Sequence, residues 1–136
     1  MSSGIYSRFK ANLMNKEVDL EADTIKVILL DDSHTFAAAN TVLTDISGNE
    51  LPTAGGYTAG GATLASKSVT EGVTTKWDAD DTAWTDATFT AYHAAIYDDD
   101  VSDNLICSIA FGGAKSVTAG TFTIQWDANG IISLAG

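Results

Sequence analysis

Apolar and polar positions alternate with a period of two along most of this chain, and with a period near four only at its start. Over residues 4–16, Ile5, Phe9 and Leu13 fall four apart with Tyr6 beside them, the spacing of one helix face. Ser2 or Ser3 supplies a cap, and Lys16 suits the C-terminal end of that helix. Residues 18–23 alternate apolar and acidic side chains, which predicts an edge strand or an extended lead-in. Residues 24–30 predict a strand in which Ile25, Val27 and Leu29 face one way and Ile28 and Leu30 join them late, closed by a turn at Asp31-Asp32-Ser33.

Two apolar, β-branched and aromatic runs flank an acidic break at residues 98–104, so residues 87–111 predict a central hairpin. Strict alternation would place Phe89, Ala91, His93, Ala95 and Tyr97 on one face, with Thr88, Thr90, Tyr92, Ala94 and Ile96 on the other. Neither face is polar, so both should be covered. Residues 62–70 and 73–77 predict two further strands about Glu71 and Gly72, and Gly112-Gly113 predicts a turn. Residues 121–127 alternate cleanly, with Phe122, Ile124 and Trp126 inward. Asn129-Gly130 then folds residues 131–134 back as a last strand. Residues 34–61 hold at most a short helix within 37–46, and the only proline, Pro52, marks a loop. So long a connection serves a purpose, either across a neighbouring subunit or packed on its own sheet. The expectation is a mainly β chain, an antiparallel β-sandwich or jelly-roll of about eight strands, with one N-terminal α-helix at residues 1–17.

Composition bounds this picture without changing it. At 136 residues with 45% hydrophobic content, the chain has the material for a single domain over residues 1–136. No apolar run approaches the roughly 20 residues that cross a membrane, and Arg8, Lys10 and Asn12 interrupt any secretory-signal pattern. One cysteine allows no internal disulfide and suits a reducing cytoplasm. The net charge of −11 lies beyond Lys26, because Arg8, Lys10, Lys16 and Lys26 balance Glu17, Asp19, Glu21 and Asp23. Such a chain lacks the clustered cations that nucleic acid requires, and its acidic surface favours solubility or docking on a basic protein.

Candidate chemistry is sparse. Gly56 and Gly61 have phosphate-loop separation, but Ala62-Thr63 stands where a lysine and a hydroxyl residue would hold phosphate. Asp98, Asp100 and Asp103 cluster in one loop and Asp78, Asp80 and Asp81 in another, without the glycine and glutamate of an EF-hand loop. They are expected to be solvated turns, so no metal or cofactor is assigned. His34, His93 and Cys107 are the only conventional nucleophile or imidazole candidates; His93 and Cys107 fall inside predicted strands and are expected as core residues, and no spacing places a nucleophile beside a base. Trp77, Trp84 and Trp126 are expected to pack inside; on the surface they would make a carbohydrate-stacking platform. Trp77-Asp78-Ala79 and Trp126-Asp127-Ala128 echo each other at strand ends. No enzymatic role is expected.

Residues 6–10, 23–33, 56–64, 78–97 and 120–130, in this order and spacing, resemble a family of small virion structural proteins from tailed phages. The resemblance spans nearly the whole chain. It implies a capsid decoration (cement) protein on the virion surface, made in the host cytoplasm, dimeric or trimeric, that binds the major capsid protein without small-molecule substrate or membrane. A tail, neck or fibre-associated protein is the alternative, and a carbohydrate-binding sandwich module the second. Partner contacts are expected from the irregular segments, at Phe36, Val42, Leu43, Leu51, Tyr57, Asp98, Asp99 and Asp100, with the N-terminal helix next.

Overall fold

A computed structural model describes residues 2–135. Among the described residues, eight strands and one α-helix follow in the order β1 (Gly4–Ile5), α1 (Ser7–Met14), β2 (Ile25–Leu30), β3 (Ala62–Thr63), β4 (Ser68–Thr70), β5 (Thr74–Asp78), β6 (Thr82–Asp98), β7 (Asn104–Ile124) and β8 (Ile132–Ala135). The strands form a five-stranded sheet, β1-β7-β6-β2-β3, and a three-stranded sheet, β4-β5-β8, with every pairing antiparallel. The chain is thus mainly β with one N-terminal helix, the sandwich architecture that the alternation predicts.

The β6–β7 hairpin is its centre and is longer than expected. Gly112 and Gly113 do not turn the chain; β7 runs past them to Ile124. Ala91 pairs with Lys115 and His93 with Ala110, so residues 111–114 face the single residue Tyr92. The two glycines have φ of 79° and 149°, conformations that a β-carbon disfavours, and so accommodate this wide bulge. The bulge also breaks the face assignment. Ala91 shares its core with Ala94 and Ile96, while Ala95 and Tyr97 lie in a second core on the other face.

Both faces of the large sheet are covered from within the chain. On one, Ile25, Val27, Leu29, Ile96 and Ile106 pack with Phe9 of α1 and Trp77 of β5, joining helix and small sheet in a single core. On the other, Ile28, Leu30, Ala95 and Leu105 pack with Tyr6 and Ile46, and Phe36 and Leu43 lean against them. Each fully buried aliphatic side chain contributes about 1.5–3 kcal/mol of transfer free energy.

The cover of the second face is the irregular connection. It contains two 3-10 turns, Leu43–Asp45 and Ser47–Asn49, in place of the short helix. The Leu43 N–H donates to the Asp103 carbonyl, the Leu105 N–H to Thr41, and the Leu51 N–H to Leu29, so this segment satisfies its backbone on the sheet it covers. Gly61 closes the connection with φ of 85°; a β-carbon there would collide with the Val27 carbonyl across the β2–β3 pair.

Four further expectations are corrected. The helix begins at Ser7 because Gly4 and Ile5 pair with Ser108 and Cys107, and Ser3 Oγ accepts the Ala110 N–H where a cap was expected. Residues 18–23 form a turn, in which Asp19 Oδ1 accepts the N–H groups of Glu21 and Ala22, each at 3.0 Å. Residues 62–70 divide between the two sheets as β3 and β4. Asn129-Gly130 turns the chain, but β8 pairs with β5 and not with the strand before it, and Trp126 lies beyond the end of β7.

Candidate functional site

Three places gather side chains with chemical or binding potential. The first is a groove of about 540 Å3 between α1, the 17–23 turn and the small sheet. Phe9 and Trp77 form its floor, and Leu13, Val69 and Leu134 stand on its walls. The Trp77 indole N–H donates to the Leu20 carbonyl at 3.0 Å, which holds the turn against the small sheet. Leu13 is 39% exposed, Val69 42% and Leu134 63%, and Met14 beside Leu13 is 87% exposed. Lys10, Lys16, Glu17, Asp19 and Asp23 bring charge of both signs to the same groove.

The second place is a buried polar cluster beneath the irregular connection. His34 Nε2 lies 2.9 Å from Ser108 Oγ, and the His34 and His93 rings meet edge-on with centroids 5.0 Å apart. Both nitrogens of His93 and the Tyr6 hydroxyl are buried without a hydrogen-bond partner. Burial lowers both imidazole pKa values, the charge of each ring's surroundings adding less, and raises the Tyr6 phenol to about 12. A Ser–His contact is the beginning of a nucleophile and base pair. Here His34, His93 and Ser108 are all buried, so the cluster has no open face toward a substrate. Cys107 is buried beside it, and burial pushes its thiol up to about 12.

The third is acidic. Asp23, Asp98 and Asp100 each bring a carboxylate oxygen within 4.8 Å of the others. The Asp100 N–H donates to Asp98 Oδ1 at 3.0 Å, and the Thr24 N–H to Asp100 Oδ2 at 2.7 Å. Asp98 is buried; burial first, then the neighbouring Asp23 side chain, pushes its carboxyl up to about 7. Asp103 is outside this group and interacts with Asp99, which pairs with Lys26 at 3.9 Å.

The eight residues expected to meet a partner separate in this fold. Tyr57 and Asp98 are buried; Phe36, Val42, Leu43 and Leu51 are half-buried against their own sheet; Asp99 and Asp100 are exposed. Asp78, Asp80 and Asp81 stand apart from the acidic group. Trp77 and Trp84 are buried and Trp126 is half-buried, its indole donating to the Asp80 carbonyl at 3.1 Å, so the three do not make an exposed stacking platform. The groove residues Val69 and Leu134 and the carboxylate of Asp23 were missed by sequence reasoning. Val69 and Leu134 sit in short strands among small polar residues, where a wall residue looks like any other strand position.

No helix among the described residues is long and apolar enough to cross a membrane. No protein-family model, curated protein or solved structure matches this chain.

Proposed function

We propose that this chain is a virion structural protein, a capsid decoration protein that binds and stabilises the lattice of the major capsid protein. The observation that carries the reading is the gathering of exposed Leu13, Val69 and Leu134 at one groove of an otherwise acidic molecule. Contiguous exposed apolar surface with a charged rim marks protein docking more often than it serves the monomer. The resemblance to tailed-phage virion proteins supplies the partner class. The burial of His34, His93, Cys107 and Ser108 is in keeping with a role performed through surface contact.

In this reading α1 and the small sheet face the capsid, and an apolar side chain or strap of the lattice enters the groove. The acidic surface beyond Lys26 steers docking onto basic shell surface. A ligand that binds only the assembled lattice stabilises it by mass action against expansion or rupture. The role is assigned to a dimer or trimer, which multiplies the contacts of each small protomer.

Co-sedimentation tests this directly. Purified protein, mixed separately with empty heads and isolated tails, should pellet with heads in saturable fashion and stay in the supernatant with tails. Pelleting with tails alone would transfer the reading to a tail or neck component. Light scattering of the free protein gives the oligomeric state.

A further inference from the structure

We propose that Asp23, Asp98 and Asp100 form a site for a hard divalent cation, best matched by calcium, that clips the start of β2 to the turn between β6 and β7.

The donor set is made of carboxylate oxygens, as hard cations prefer. One oxygen of each carboxylate is already engaged by the backbone. Asp98 Oδ1 accepts the Asp100 N–H, Asp100 Oδ2 accepts the Thr24 N–H, and Asp23 Oδ2 accepts the Asp19 N–H at 3.0 Å. These bonds fix the three side chains and leave one oxygen of each for an ion.

The observation that points to a ligand is Asp98 Oδ2. Asp98 is 1% exposed, and this oxygen is buried without any hydrogen-bond partner. A buried carboxylate oxygen without a donor is costly unless a proton or a cation joins it. Its side-chain neighbour is the carboxylate of Asp23, which offers no proton of its own when ionised. Among the described residues the one ion pair nearby, Lys26 with Asp99, does not include any of the three carboxylates. The group is short of positive charge.

The geometry favours calcium. Calcium accepts irregular shells of about six to eight oxygens, whereas magnesium demands a near-ideal octahedron and gives up its waters reluctantly. Three carboxylates tied by backbone hydrogen bonds, their oxygens within 4.8 Å of one another, fit the more tolerant ion. Asp23 precedes β2, and Asp98 and Asp100 flank the start of the β6–β7 turn. Ile25 pairs with Asp98, so the ladder itself brings the two segments together. Because the ligands come from separated segments, no contiguous calcium-loop motif is needed.

The test is calorimetric titration of the full chain, dialysed against EDTA, with calcium chloride, alongside thermal melts in calcium, magnesium and sodium chloride at matched ionic strength. The expected result is saturable binding of about one calcium per chain in the 0.1–1 mM range typical of simple surface modules. Tm should rise by about 3 °C or more in calcium, less in magnesium, and not in sodium. Asp98→Asn should abolish both responses with its circular dichroism unchanged. Asp100→Asn, at an exposed position, should weaken binding at least about tenfold through loss of one charged ligand, and carries the test if the buried variant fails to fold. Absence of heat and of any Tm shift in the wild type would overturn the proposal and leave Asp98 holding a proton. A calcium response retained in full by both variants would overturn it as well.

Discussion

Tyr57 Oη lies 2.5 Å from Glu50 Oε2, and the same oxygen accepts the backbone N–H of Leu29 at 3.2 Å. The phenol therefore ties two points of the irregular connection to the inner strand β2, and Glu50 Oε2 also accepts the Gly60 N–H at 2.7 Å. Tyr57→Phe keeps the ring in place against Trp84 and Phe89 but leaves the Leu29 N–H and the Glu50 carboxylate with one partner fewer. The expected cost is about 1–3 kcal/mol, read as a lower urea midpoint at unchanged slope. A midpoint equal to wild type would show that water replaces the hydroxyl.

The buried imidazoles make stability fall in mild acid. Burial holds both rings below the usual histidine value in the folded chain, with Asp31 the carboxylate that pulls the other way on each. The unfolded chain takes up protons below about pH 6.5 while the folded chain does not, so stability is full above that pH and is lost on descending toward the folded pKa values. The slope is at most about 1.4 kcal/mol per pH unit for each ring. Without a bound cation Asp98, raised to about 7, acts in the opposite sense, because the folded state keeps a proton that the unfolded state loses above about pH 3.9. His93→Phe isolates the imidazole part: chemical denaturation from pH 7.5 to 5 should show a shallower acid decline than wild type. Parallel curves would contradict neutral burial of this ring.

Cys107 should resist modification in the native state. Its thiol is buried, and burial alone raises it to about 12, so almost no thiolate is present or reachable at neutral pH. Labelling with a thiol reagent should be at least about a hundredfold slower in buffer than in denaturant and should track global unfolding. Rapid labelling of the folded chain would mean that β1 and α1, which lie over this part of β7, open readily.

The groove predicts a separation of binding from stability. Leu134→Asp places a charge at a position 63% exposed, so Tm should change by little. Binding to the capsid shell should fall about tenfold or more, as expected when a charge enters an apolar contact. A matched substitution at exposed Thr121, which does not line the groove, should leave binding intact. Equal loss from both variants would argue against the groove.

Much of the scaffold is legible because the physics behind it is local. β2 is announced by alternation, and its two faces do enter two cores; the central hairpin is announced by its apolar runs and acidic turn. What was not legible depends on partners. Gly112-Gly113 carries the signature of a turn, yet a wide bulge uses the same positive φ, and only pairing with Tyr92's neighbours distinguishes them. Asn129-Gly130 marks a reversal but does not say that β5 receives β8. Asp23 reads as an ordinary acidic residue until the β2–β6 ladder sets it beside Asp98. The apolar second face of the hairpin invites a neighbouring subunit as cover, and the chain's own connection through Phe36, Leu43 and Ile46 supplies it.

With that face closed, the groove at α1 and β8 is the surface assigned to a partner, and imaging of intact particles is the direct measurement. Added density of about 14 kDa per protomer is expected on the outer head shell, with α1 and the small sheet toward the capsid. Density confined to the tail or baseplate, with a bare head, would contradict it.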